Sequence, residues 1–399
     1  MSTQPSLHFK DSFPQCDNHM FEWLLCLTST FRVCQRRALI QRESVSQQPS
    51  LCSKPLAATI ISAPAEILKL TAFVSSLTPE LGMLAPRFFL ASVLPRDWKP
   101  CVVVVSQGLR IVGLLYCKER VVAGIATRIA FGDDTLGTMV AARPEETESV
   151  VHCAVEALLK HMVALRFRVS SDRLAFLETA KSNADIHSCR VEHHAHLELP
   201  RTYDEFLAKV GPSTRHNLRR YRRKSEQTGN EFCPDQPFTD FSAAARRLLP
   251  KEAHAKGISN LQRVLGMIEA MPSRLLIGLR RRDGEWISLA GGWYVDGRAV
   301  LVLQLNDRTC SRESVSLVLR SYLIEQLINR GIRELVFWAG SSPPLSSYTT
   351  PREEFMAYVD GQSHPWRLFR LACALLTKLA ANTFGRRLKW LVPESGQAN

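Results

Sequence analysis

One order of segments occurs twice along this chain of 399 residues, and it restricts the fold more than any composition figure does. In the first copy Cys101 to Val105 is an apolar run suited to a buried strand, Gln107-Gly108 is a turn, and Arg110–Cys117 is a second strand. Glu119-Arg120 is expected to turn the chain into a third strand, Val121–Phe131. A helix over Glu145–Leu165 follows, because Val150, Val151, Ala154, Val155, Leu158 and Leu159 recur on one face at the helical period. Phe167–Val169 closes the copy. In the second copy Arg274–Leu279 is a strand, Asp283-Gly284 a hairpin turn, Trp286–Val295 a strand, Asp296-Gly297 a second turn and Ala299–Asn306 a third strand. A helix from about Ser314 to Arg330 stops at Gly331, and Ile332–Trp338 completes the copy.

The offset between the copies is roughly 170 residues and residue identity between them is negligible, so the repeat is one of architecture. A meander of antiparallel strands followed by a helical crossover into a parallel strand predicts an α/β (α+β) fold: two tandem domains, each a mixed, mostly antiparallel sheet flanked by helices. The length agrees, since a chain of 399 residues exceeds what one small core organises. Residues 1–55 are rich in Ser, Gln and Cys without a sustained period and are expected to be a poorly ordered leader. The first domain is expected over 56–198, with the boundary near Leu199-Pro200, and the second over 199–360. Residues 361–399 are expected to be a basic amphipathic helical tail.

The formal charge is +13, and two segments hold nearly all of the excess. Arg215 to Lys224 carries six cations without an acid, and so does Arg367 to Lys389. Such surfaces suit an anionic ligand, an anionic membrane or nucleic acid, and charge alone does not choose. No recognition-helix context or aromatic RNA-binding signature accompanies the basic helix, so DNA is not expected as a partner. The tail has tryptophans at both ends, Trp366 and Trp390, which suits peripheral contact with an anionic membrane as well as docking on its own domain. The eleven cysteines include no C-x-x-C pair, and Cys101, Cys117, Cys153 and Cys373 sit singly in apolar segments, as free thiols in a reducing compartment do. His194 and His196 would share a strand face with Glu192 and Glu198, but an alternating polar face also describes a solvated strand, and no metal site is expected. Neither a secretory signal nor a run long enough to cross a bilayer is present, so the expected location is cytoplasmic.

Several stretches in order resemble one family. A strand ending Leu197-Glu198-Leu199-Pro200 precedes a short helix, Tyr203-Asp204-Glu205-Phe206-Leu207, and then the basic helix entered at Ser213, which ends at Thr228-Gly229-Asn230. Next comes the hairpin Ala290-Gly291-Gly292-Trp293-Tyr294 with Asp296-Gly297-Arg298, and then Gly331-Ile332-Arg333-Glu334-Leu335-Val336-Phe337. This order resembles the GNAT superfamily, in particular the bacterial double-GNAT proteins of the CelD-like and FemABX-like acetyltransferase type. The likeness covers about 195–345 well and 57–195 by architecture alone.

The resemblance implies an acyltransferase that takes acetyl-CoA or another acyl-CoA and transfers directly to a polar acceptor, a small molecule or a saccharide linked to the envelope. It implies that Leu305 and Asn306 hold the acyl group and that Ser314, Val315 and Ser316, at the head of the crossover helix, present N–H groups to the pyrophosphate. The family often reads Ser-Pro-Gly there, and it often has an aspartate where this chain has Val336. Asp307 or Glu313 could act as the base, although Asp307 also suits a cap and Glu313 the positive end of a helix. Tyr348 is what remains of an aromatic-plus-lysine pair. Arg215, Arg219 and Arg222, at i, i+4 and i+7 of a helix capped by Ser213, form a cationic stripe for anionic groups. Two alternatives stay open: a catalytically degenerate scaffold that binds a partner or membrane, and a FemABX-like transferase that uses aminoacyl-tRNA.

Overall fold

The computed structural model of the chain describes residues 55–361 apart from short stretches at 78–81, 94–96, 123, 180–183, 192–193, 250–254, 339 and 342–343. The leader expected over 1–55 and the tail expected over 361–399 lie outside the described residues but for one residue each. Strand β1 (Leu56–Ile61) leads into three short helices, α1 (Pro64–Lys69), α2 (Thr71–Leu77) and α3 (Pro86–Ser92). Proline opens α1 and α3, where a helix has no use for the N–H that proline lacks. The first meander is β2 (Trp98–Gln107), β3 (Arg110–Val122) and β4 (Ile125–Asp133). It is followed by β5 (Val140–Ala142), α4 (Thr147–His161), β6 (Ala164–Ser170), α5 (Ser171–Thr179) and β7 (Ala184–Val191). The turn expected at Glu119-Arg120 is absent, and β3 runs on to Val122. Glu119 is buried, its carboxylate accepts the N–H of Arg128 at 2.8 Å, and the turn falls at Gly124, whose φ is +79°.

The second half begins with β8 (Ala195–Glu198), α6 (Tyr203–Lys209), α7 (Pro212–Gln227) and β9 (Glu231–Cys233). Two helices, α8 (Phe238–Leu248) and α9 (Ala255–Ala270), precede the second meander of β10 (Arg274–Arg280), β11 (Trp286–Val295) and β12 (Arg298–Asn306). Helix α10 (Val315–Asn329), β13 (Glu334–Phe337), β14 (Thr350–Pro351) and β15 (Glu354–Gly361) complete the described chain. Asp296 and Gly297 both have positive φ, the primed turn whose twist suits a two-residue hairpin. Gly331, at φ +75°, stops α10 where a glycine past the last turn is expected to. The basic helix α7 starts one residue ahead of the expected cap: Gly211 is its N-cap and Pro212 its first residue, so Ser213 already lies inside.

Among the described residues the strands form two sheets, in the order β1-β2-β3-β4-β6-β15-β7, with β5 on β3, and β14-β8-β13-β12-β11-β10-β9. In each, the strand before the crossover helix pairs parallel with the strand after it, β4 with β6 and β12 with β13, and all other pairings are antiparallel. The duplication is therefore real in topology. Each sheet also takes a strand from the chain on the far side of Leu199-Pro200: β8 belongs to the second sheet and β15 to the first.

The crossover helix α4 and α5 cover one face of the first sheet, and α1, α2 and α3 pack on the other. In the second sheet α10 lies against one face with α6 and α7 outside it, packed through Phe206, Leu207 and Leu218. Being covered on both sides, α10 is apolar nearly all round. The opposite face is covered by α8, α9 and Phe88 of α3, whose ring meets Trp293 edge-on at 5.2 Å between centroids. A chain element from the first half thus completes the core of the second.

Candidate functional site

The two parallel strand pairs differ at their ends. In the first half β4 pairs with β6 from Ile129↔Ala164 to Asp133↔Arg168, and Asp134 N–H still donates to the Arg168 carbonyl at 2.8 Å. The pair is closed to its end. In the second half β12 pairs with β13 only from Arg298↔Glu334 to Leu301↔Phe337, with one further bond from Trp338 N–H to the Leu301 carbonyl at 3.0 Å. Beyond it Val302 to Asn306 bond to β11 alone among the described strands. β13 thus ends while β12 runs on, and β12 presents an edge of backbone donors and acceptors that no described strand pairs on that side.

The stretch of β12 that lacks a parallel partner starts opposite Gly291-Gly292. Opposite these glycines the register slips: Gly291 faces Leu303, Gly292 faces Leu301, and Val302 is the extra residue of a bulge. A Cβ on Gly292 would stand 1.8 Å from the Val300 carbonyl oxygen, and one on Gly291 would stand 2.6 Å from the Phe241 ring. Only a residue without a side chain lets β12 come this close.

Past the end of β12 a 3-10 turn, Arg308–Glu313, carries the chain to α10. Asp307 caps that turn: one carboxylate oxygen accepts the N–H of Thr309 at 2.9 Å and its hydroxyl at 2.8 Å. Cys310 is buried beneath the turn, with the Arg281 guanidinium at 3.0 Å from its sulfur. Ser314 has φ +51° and ψ +38°, a left-handed conformation uncommon for a residue with a side chain. Its carbonyl accepts from Leu317 and Val318 while its hydroxyl makes no cap bond, so the first turn of α10 keeps its leading N–H groups outward. Leu305 is buried toward α8 and α9, and Asn306 is tied by its side chain to the Ser288 hydroxyl at 2.7 Å. Ser316 and Glu313 are half-buried at the same end.

Two further side chains occupy this region. The Gln304 amide donates to the Ser316 carbonyl at 3.3 Å, and its oxygen accepts from Arg320 Nε at 2.8 Å. The Arg320 guanidinium also lies 5.5 Å from the Phe337 ring, so it bridges β12 and β13, and burial pulls its pKa down to about 10. Neither was singled out in the sequence, although an arginine in a helix otherwise as apolar as Val315–Asn329 was the signal to follow.

Tyr348 stands elsewhere on the same half. Its hydroxyl accepts the N–H of Gly211 at 2.8 Å and donates to the Thr214 hydroxyl at 3.4 Å, which ties it to the head of α7. The hydrogen bond with Thr214, and then that with Gly211, hold its pKa below the ordinary tyrosine value. The three arginines of α7 do not act alike. Arg222 turns inward onto α10, with Glu325 at 2.6 Å and the Tyr322 ring at 4.0 Å. Arg215 is half-buried and donates to the Val210 carbonyl at 3.3 Å, while Arg219 is exposed. The stripe lies on the rim of the helix, where a few tens of degrees decide between core and solvent.

The histidines correct the expectation of a solvated strand. His194 is buried, 2.5 Å from the Glu354 carboxylate and edge-on to Trp338, and His196 is buried against Glu334. Each ring meets a carboxylate from another strand. Among the described residues no group of histidine, cysteine and acidic side chains could hold a metal ion. Nor is any described helix long and apolar enough to cross a membrane. Val336 lies in the apolar cluster between the second sheet and α9, where a carboxylate would have no solvent.

Residues 212–343 match the family model described as an acetyltransferase (GNAT) domain. No curated protein matches the chain by sequence. The fold is similar to that of FemX at 10% identity and a TM-score of 0.51, with 78% of this chain and 100% of that one covered. It is also similar to the C-terminal domain of a putative lysylphosphatidylglycerol synthetase from Agrobacterium fabrum, at 14% identity and a TM-score of 0.50, covering 80% and 97%. The second half thus carries a segment matched by the acetyltransferase (GNAT) domain model, and the duplicated topology of the described chain is a fold it shares with FemX.

Proposed function

We propose that the second half transfers an acyl group from a CoA thioester to a polar acceptor, and that the first half does not bind the donor. The observation that carries this reading is the edge of β12 that β13 leaves unpaired, which runs to the turn before the head of α10; the corresponding pair in the first half stays closed. An extended pantetheine chain fits such an edge as a further strand would, bonding to Val302–Asn306, and the outward N–H groups at Ser314, Val315 and Ser316 suit the pyrophosphate. Bound CoA supplies the activated thioester carbonyl. Direct transfer then asks for a proton acceptor at the incoming nucleophile and a donor at the leaving sulfur. Tyr348, whose hydroxyl is held at the head of α7 by Gly211 and Thr214, is our candidate for the second task. Glu313 is a better candidate than Asp307 for the first, since the Asp307 oxygen is engaged by Thr309.

Calorimetric titration with acetyl-CoA and with a long-chain acyl-CoA tests the reading. Micromolar to submillimolar binding that is weakened by Ser314→Val supports it, and absence of binding at millimolar ligand removes it. The buried apolar Val336 at the family's aspartate position favours a second reading, a scaffold without turnover. Binding of acyl-CoA without hydrolysis or transfer to any amine or sugar acceptor would single that reading out. An aminoacyl-tRNA donor instead predicts consumption of charged tRNA and no heat with acyl-CoA.

A further inference from the structure

The outward face of α7 is a strongly charged surface that the acyl-transfer reading leaves without a use. Arg219, Arg220, Arg223 and Lys224 are exposed there, with His216 beside them, and they line one groove together with Arg215. None of the exposed four has an acidic partner within 4.0 Å among the described residues. Elsewhere some surface cations are matched, as Arg110 is with Glu146 and Arg280 with Glu231, and the exposed cations without such a partner among the described residues are spread over many elements, among them Arg128, Arg246 and Arg282. Arg222, on the inner side of the same helix, takes Glu325. What sets α7 apart is that four open cations stand together on one helix face, while its inward arginine is neutralised.

Three kinds of anionic partner differ in what else they require. A membrane surface needs an apolar rim beside the cations, and the large exposed apolar residues Leu68, Leu109, Val122, Ile125 and Ile258 all lie off α7. A single nucleic-acid strand needs exposed rings to stack on, and the aromatic residue of α7, Tyr221, is packed against the core. An acidic protein helix needs neither. It needs cations in rows at the helical period, and Arg219 with Arg223, like Arg220 with Lys224, stand at i and i+4. The location adds to this, because α7 packs on α10 and touches the 308–313 turn that leads to its head. A partner seated on α7 is beside the place where a thioester would enter.

We infer that the outer face of α7 docks an acidic, helical carrier protein that delivers the acyl group as a thioester on a phosphopantetheine arm. This rests on the acyl-transfer reading and names the carrier of its donor. The open arginines steer the carrier's acidic helix, and the arm reaches past the 308–313 turn to the unpaired edge of β12. The thioester C–S bond breaks as the acceptor's nucleophile forms its new bond to the carbonyl carbon, and the carrier leaves as the free thiol with the proton released.

The test uses the full chain and a bacterial acyl carrier protein, unloaded and loaded with an octanoyl thioester. Binding is followed by calorimetry or by fluorescence anisotropy of the labelled carrier. The expected result is micromolar binding of both forms, weakened at least tenfold by high salt and at least tenfold in Arg220→Glu/Arg223→Glu/Lys224→Glu, whose thermal unfolding is checked against the parent. No binding of either form overturns the inference, and so does tighter binding of phosphatidylglycerol vesicles or of a single-stranded RNA homopolymer than of the carrier. Transfer is scored separately. Carrier binding without transfer from carrier or CoA would sink the acyl-transfer reading alone, whereas transfer from octanoyl-CoA without carrier binding would sink the docking alone.

Discussion

At the residue scale the second half depends on one position where nothing but hydrogen fits. Gly292 lies against the Val300 carbonyl, so Gly292→Ala must push β11 and β12 apart at the bulge where β12 loses its parallel partner. We expect a loss of about 2–3 kcal/mol in urea unfolding and a larger proportional loss of acyl-CoA affinity, because strand spacing and the unpaired edge are set together. Asp134 gives a pH signature in the first half. It is fully buried beside Arg173, 2.9 Å away, and burial, outweighing that arginine, raises its pKa from 3.8 to about 6. Between those values the folded protein holds a proton that the unfolded chain has released, so this group's contribution to stability falls as the pH rises through the window. Relative to Asp134→Asn, the parent should gain on the order of 2 kcal/mol between about pH 7 and about pH 4. Matched urea midpoints for the two proteins that stay parallel over that range would refute this.

At the scale of elements, α7 has two faces with separate duties. Inward, Arg222 joins α7 to α10 through Glu325 and the Tyr322 ring, a half-buried contact whose exposed portion water screens. Arg222→Ala should cost about 1–3 kcal/mol of stability, measured by thermal unfolding, with little change in the salt dependence of anion binding. Arg219→Ala should do the reverse. Equal effects of both on stability would mean that the helix does not divide its work in this way. The division was partly legible: the arginine spacing and the apolar Leu218 placed one side of the helix inward, but which arginine crossed the rim depended on Glu325, a hundred residues along.

For the whole molecule, the junction of the two sheets is a polar pair inside an aromatic setting. His194, from the start of the second sheet, meets Glu354 of β15 in the first, and both side chains are fully buried. His194→Ala leaves that carboxylate buried beside an empty volume, and we expect a loss of about 3–5 kcal/mol. Because β8 and β15 each pair in the sheet of the other half, the loss should appear as one shifted transition in calorimetry. Two separated transitions would show that the halves fold independently.

The periods of apolar residues and the turn residues by themselves determined the strand meanders, both crossover helices and the duplication, since these follow from local sterics and from which faces must leave water. The tight turns at Gly284, Asp296-Gly297 and Gly331 were legible for the same reason. Tertiary structure alone decided the exchange of β8 and β15 between the sheets, because a short strand takes whichever edge its turns bring it to. It also decided the burial of His194 and His196, whose carboxylate partners are more than a hundred residues distant in the chain. The early end of one parallel pair and the closure of the other belong here too. Gly291-Gly292 announced an irregularity, but only the folded chain set Phe241 and Val300 against them and fixed where the bulge falls in β12.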